Sequence, residues 1–231
     1  MLSYDIDPDI LLPRVPAGTT LDTFNGRCLV SLVGFMFEDS RLRGMPIPLH
    51  GSFEEVNLRF YVKRDVEGET RRAVVFVKEL VPKRAVALVA KMLYGEPYSV
   101  LPMSHDYDRA KNGDLRSAVY RWKHKRQMCE IGIEVDSPMA LPEIGSIEEF
   151  IAEHYWGYTG LGNGITAEYR VTHPRWRVAC AERSWLVCDA ASIYGDQFAT
   201  CFAAEPVSAF LANGSEIEVY PRKILRGTGL S

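Results

Sequence analysis

Between residues 52 and 62 the chain alternates with a period of two. Val56, Leu58, Phe60 and Val62 interleave with Glu55, Asn57, Arg59 and Tyr61. A β-strand turns successive side chains to opposite faces, so each set shares one side. The apolar set is a core face. The polar set is a row of carboxylate, amide, guanidinium and phenol, either the wet face of a half-buried strand or the lining of a pocket.

The same patterning predicts the neighbouring elements. Arg27–Phe37 is apolar on both faces, as in a central strand, and Asn25-Gly26 before it is a turn that pairs it with Leu21–Phe24 as a hairpin. Glu67-Gly68-Glu69 turns the Glu55 strand into another over Arg72–Val77, and Pro97–Met103 is extended. Leu115–Trp122 and Gln127–Val135 form a hairpin with a basic tip, Lys123-His124-Lys125-Arg126. Ile165–Val171, residues 176–182 and 185–187, and Glu216–Tyr220 complete the strands.

Helical signals are fewer. Asp7 followed by Pro8 starts a short helix, and Ser146 with Glu149 is a capping box for a helix running to about Tyr155. Residues 82–95 read as the clearest helix, opened by Pro82, closed by Gly95 and striped with Ala85, Val86, Val89, Met92 and Leu93. Residues 41–51, with Gly44, Pro46, Pro48 and Gly51, read as a loop or lid. About ten short strands, few helices and no linker or repeat predict a mainly β chain. The expectation is a single domain over 1–231, closed or nearly closed into a β-barrel with peripheral helices.

Composition narrows the function classes. Hydrophobic residues make up 47% of the 231 and charged residues 25%, which is globular, and a net charge of -3 gives no basic field for nucleic acid. The basic tip lacks the aromatic motif of an RNA-binding sheet and reads as a solvated hairpin end. The acidic start, Met1 to Asp7, lacks the positive charge of a secretion signal, and no apolar run is long enough for a membrane helix. A soluble, cytoplasmic protein is expected. The five cysteines and five histidines are scattered with no paired spacing, so buried thiols are expected, and no metal or cofactor. Tyr155, Trp156, Tyr158, Trp176 and Trp185 suit a core or an interface between copies, so a homo-oligomer is open.

Three clusters carry candidate chemistry. The first is the polar row. The second is Lys78-Glu79-Leu80-Val81-Pro82-Lys83-Arg84, charges at the mouth of the Pro82 helix. The third is Tyr94-Gly95-Glu96-Pro97-Tyr98, continuing through Met103-Ser104-His105, where a proline holds an acid extended beside a tyrosine. No phosphate-binding glycine loop, serine nucleophile elbow or zinc-protease motif occurs.

The segment Phe53-Glu54-Glu55-Val56-Asn57-Leu58-Arg59-Phe60-Tyr61-Val62 resembles the E-x-N-x-R-x-Y-V motif of the YqjF-like family of uncharacterised bacterial proteins. Tyr94-Gly95-Glu96-Pro97-Tyr98, Ser146-Ile147-Glu148-Glu149-Phe150 and His173-Pro174-Arg175-Trp176 extend the likeness over nearly the whole chain. That family is similar to the acetoacetate decarboxylase-like superfamily, and the resemblance implies a closed β-barrel with a central cavity. In the decarboxylase a glycine-x-proline-lysine-lysine segment supplies a Schiff-base lysine, near a strand glutamate. Gly95-Glu96-Pro97 falls on glycine-x-proline, Tyr98 and Ser99 on the two lysines, and Glu55 looks like the strand glutamate. Neither tyrosine nor serine forms an imine, so Schiff-base decarboxylation is not expected. Lys78, Lys83 and Lys91 are the nearest replacements in sequence.

The site expected from these signals has Glu55, Glu96 and Tyr98 in acid–base roles, with Asn57, Arg59, Tyr61 and His105 binding a small, anionic molecule. Two functions stay open. One is an enzyme acting on a small keto or carboxylate metabolite without an imine. The other is a sensor or carrier that binds a metabolite and does no chemistry.

Overall fold

A computed structural model describes residues 1–38, 41–42, 45–46, 52–82 and 97–226. Its strands begin with β1 (Leu2–Asp5), β2 (Thr20–Leu21), β3 (Leu29–Phe37) and the short β4 (Arg41–Leu42) and β5 (Met45–Pro46). β6 (Phe53–Val66) and β7 (Glu69–Val81) are the longest, followed by β8 (Tyr98–Val100), β9 (Met103–Arg109), β10 (Leu115–His124) and β11 (Gln127–Glu134). β12 (Trp156–Gly162), β13 (Ile165–Thr172), β14 (Val178–Cys180), β15 (Arg183–Val187), β16 (Ser208–Ala212), β17 (Glu218–Val219) and β18 (Lys223–Arg226) complete the set. Among the described residues the α-helices are short: α1 (Pro8–Leu11), α2 (Ile147–Ala152), α3 (Ala190–Tyr194) and α4 (Asp196–Phe202). None among the described residues is long and apolar enough to cross a membrane.

Among the described residues twelve strands join one sheet, in the path β14-β16-β1-β3-β6-β7-β12-β13-β17, with β18, β2 and β8 pairing on β13, β6 and β7. A second sheet has the order β15-β11-β10-β9. The protein is mainly β, and among the described residues no sheet closes on itself. The two sheets are held by one apolar cluster that includes Leu32, Val56, Leu58, Phe60 and Val62 from the larger sheet and Tyr120, Trp122, Ile131 and Ile133 from the smaller. Gly34 lets them approach closely, since a Cβ there would sit 2.6 Å from Cδ2 of Tyr120.

The caps fold as the sequence predicts. Asp7 accepts from the amide of Asp9 at the start of α1, and Ser146 accepts from the amide of Glu149 at the start of α2. Asn25 and Gly26 both take positive φ, 50° and 80°, and close a turn between Phe24 and Arg27. The hairpin expected there does not extend. β2 pairs with β6, while β3 lies between β1 and β6, because the long apolar β3 gains far more from β6 than from a two-residue arm. Residues 97–103 break into β8 and β9 rather than one strand, and α3 and α4 appear where no helix is expected. The helix expected over 82–95, Lys83, Lys91, Glu96 and most of the 41–51 loop lie outside the described residues.

Candidate functional site

β6 divides its side chains between faces as the alternation requires. Val56, Leu58, Phe60 and Val62 enter the core between the sheets, whereas Tyr61 joins a separate cluster with Leu29, Val74, Phe150, Ile151, Val178 and Phe210. The face carrying Tyr61 also carries Glu55, Asn57 and Arg59, and it is not a wet face. Glu55 and Asn57 are each 2% exposed, and Glu79, the cross-strand partner of Asn57 on β7, is 1% exposed.

Glu55, Asn57 and Glu79 form the first half of this polar row. Asn57 Nδ2 donates to Glu55 Oε1 at 2.9 Å. Asn57 Oδ1 is buried and has no hydrogen-bond partner among the described residues. Tyr98, on β8, lies beside Glu79 in a parallel register and packs with Phe37, Phe53 and Val81 at the end of the row.

The second half is cationic and lies under α2. Phe150 and Ile151 anchor this helix on the Tyr61 cluster. Arg59 donates to the Ile151 carbonyl at 3.2 Å, which satisfies a carbonyl at the C-terminal end of α2 and places a cation on the negative end of its dipole. The Arg59 guanidinium carbon lies 5.8 Å from the Tyr61 ring centre, and Arg59 Nε is buried with no hydrogen-bond partner among the described residues. Tyr61 Oη shares a hydrogen bond of 2.5 Å with Ser31 Oγ, which in turn meets Ser3 Oγ at 2.7 Å.

The His154 ring lies tilted against Tyr61, ring centres 4.6 Å apart, and its Nε2 lies 3.6 Å from Asp22 Oδ2. Burial holds the imidazole down at about 4, more strongly than the nearby Asp22 carboxylate raises it, and Arg72 and Arg59 add to the depression. Burial pushes the Asp22 carboxyl up, but His154 and the Arg72 guanidinium, 2.7 Å away, together hold it below its ordinary value.

The expected residues therefore do not all converge. Glu55, Asn57, Arg59 and Tyr61 share a face, with Tyr98 two strands away. His105 lies on β9, where its Nδ1 meets Glu54 Oε1 at 2.9 Å, and Glu54 belongs to the other face of β6. Lys78 also turns away: it pairs with Leu58, and its Nζ donates to the Ile193 carbonyl at 2.9 Å. Two of the voids among the described residues are not lined by the row itself, although Met1, which lines the smaller, accepts at its Sδ from Arg59 Nη2 at 3.7 Å. One of about 20 Å³ lies by Gly34 and Tyr120, and one of about 340 Å³ lies between Leu186, Cys188, Phe202 and the alanines of α3 and α4.

Sequence reasoning places Glu79 at a helix mouth and gives His154 and Asp22 no role. One β7 feature hides Glu79. Leu58 pairs with Lys78 but Arg59 pairs with Phe76, so Val77 is an extra residue, a β-bulge. Past it the face of every β7 residue is exchanged, which brings Glu79 to the side of Asn57. The signal for Glu79 was a charge pattern continuing past Val77, and the bulge made its face unreadable. His154 and Asp22 meet only through the tertiary fold.

Residues 1–216 match the model of the DUF2071 family, described as an uncharacterized conserved protein. The chain belongs to that family. It is 29% identical over 183 residues to the uncharacterized protein YqjF of Bacillus subtilis (strain 168), covering 78% of this chain and 71% of that one. Among solved structures it is similar to an acetoacetate decarboxylase-like enzyme from Sphingomonas wittichii RW1, with TM-score 0.62 at 16% identity over 98% of this chain and 89% of the other. It is also similar to the enduracididine biosynthesis enzyme MppR complexed with pyruvate, with TM-score 0.59 at 13% identity over 96% and 83%. At these identities the structures establish the fold: the protein has an acetoacetate decarboxylase-like fold.

Proposed function

We propose that the protein binds a small carboxylate metabolite on the Glu55 face of β6 and acts on it by acid–base chemistry without an imine. The observation that carries this reading is a pair of buried atoms. Asn57 Oδ1 and Arg59 Nε occupy successive positions on one face, and neither has a hydrogen-bond partner among the described residues. Leaving such groups buried and unpaired costs about 1–3 kcal/mol each, a cost a ligand would remove. The planar guanidinium of Arg59 suits a carboxylate, and Glu55, already oriented by Asn57, is the base. The pyruvate in the MppR complex is a small carboxylate on the same fold, which supports the ligand class. Tyr98 and Ser99 at the expected lysine positions, and Lys78 on the opposite face, support chemistry without a Schiff base. The closed barrel belongs to this proposal, as the enclosure that keeps the row from water.

A thermal-shift screen of small carboxylates against the wild-type protein and Arg59→Ala tests the reading. The expected result is a stabilising subset whose shift is lost in Arg59→Ala. Shifts that survive the substitution unchanged would remove the anion-clamp role. Borohydride treatment with a keto acid is expected to leave no covalent adduct, and an adduct would restore the imine.

A further inference from the structure

We infer that the ligand of this site carries a hydrogen-bond donor beside its carboxylate, making it a small amino or hydroxy acid rather than a simple oxo acid. The inference rests on the proposed carboxylate site and names its substrate class. The orientation of the Asn57 amide decides it. Nδ2 faces the Glu55 carboxylate at 2.9 Å, and a reversed amide would set two oxygens against each other unless Glu55 were protonated. Oδ1 is therefore the outward end, an acceptor buried without a partner among the described residues.

What surrounds it strengthens the demand for a donor. Glu55 and Glu79, the buried neighbours of Asn57, only accept hydrogen bonds when ionised. The next position on the same face, about 6.7 Å along the strand, reverses the polarity, because Arg59 Nε only donates. The row is thus an acceptor followed by a donor. A ligand matching it presents a donor and then an acceptor. The carboxylate of any small acid satisfies Arg59. A keto oxygen beside that carboxylate is a second acceptor and leaves Asn57 Oδ1 unpaired, whereas a hydroxyl or ammonium at the same carbon satisfies it.

Pyruvate, lactate and alanine are near-isosteres that differ at that one group, so binding of the three to the full chain, measured by calorimetry or ligand-observed NMR, tests the inference. Lactate or alanine is expected to bind about tenfold or more tighter than pyruvate, and the two separate a hydroxyl from an ammonium preference. In Asn57→Leu the preference for lactate or alanine over pyruvate is expected to vanish. Pyruvate binding as tightly as both others would overturn the inference and leave the carboxylate site standing, provided that Arg59→Ala abolishes the binding. If none of the three binds, or Arg59→Ala changes nothing, the inference falls together with the site. The wild-type comparison needs no substitution, so it decides the point even if Asn57→Leu does not fold.

Discussion

The two faces of β6 are both buried, yet they are built on opposite logic. On one face Val56, Leu58, Phe60 and Val62 are fully buried in a continuous apolar cluster, with the Tyr120 ring laid over Gly34. On the other, Glu55, Asn57, Arg59 and Tyr61 bury a carboxylate, an amide, part of a guanidinium and a phenol. Apolar burial stabilises in proportion to area, whereas each polar group taken out of water must regain its hydrogen bonds to break even. A strand that only held sheets together would be apolar on both faces. The Glu55 face gives up stability that the other face supplies, which is the relation expected if that face is the proposed site and the other its scaffold.

Substitutions and pH can break that comparison. Phe60→Ala on the apolar face is expected to cost about 3–5 kcal/mol in urea unfolding, the largest effect. A loss under 1 kcal/mol would mean that this face is not the scaffold. The polar side is instead sensitive to acid. The His154 imidazole is depressed to about 4 in the folded protein, so its contribution is complete above the unfolded value near 6.5 and is lost as pH falls through about 4. The lowered Asp22 carboxyl acts in the same direction, its contribution also being lost toward acid. Stability is expected to drop by roughly 3 kcal/mol over that window, and His154→Phe is expected to flatten the profile. An unchanged profile would remove His154 as the cause.

Two smaller effects sharpen the contrast. Gly34→Ala drives a methyl into the Tyr120 ring and is expected to cost about 1–3 kcal/mol, visible as a lowered Tm with no change in ligand binding. Asn57→Leu, on the other face, is expected to change stability by about 1 kcal/mol or less, because it removes an unpaired buried acceptor along with one hydrogen bond. A cost approaching that of Phe60→Ala would show the polar row to be structural.

Much of this contrast was legible in the sequence, because a period of two is a local property. The division of β6 residues between faces, the two caps and the Asn25-Gly26 turn each depend on a few consecutive residues, and each appears in the structure. The family likeness supplied burial for the polar row, which alternation alone left open. Information that resides in pairing was lost. The partner of β3, the face of Glu79 and the meeting of Asp22, Tyr61 and His154 are set by register and by contacts distant in sequence. His105 is a further case, since its pairing with Tyr120 on β10 and its contact with Glu54 set it away from the Glu55 face.

Val77 matters to heredity as well as to geometry. A strand's side chains have a phase, and a single inserted residue reverses it from that point onward. A relative lacking Val77 would regain an unbroken ladder with β6 and still hold Glu79 opposite Asn57, because Phe76, Lys78 and Glu79 would then pair in turn with Arg59, Leu58 and Asn57. A one-residue gap at this position therefore leaves the face of Glu79 unchanged, whereas keeping all residues and straightening the bulge would turn the Glu79 carboxylate to the Leu58 side.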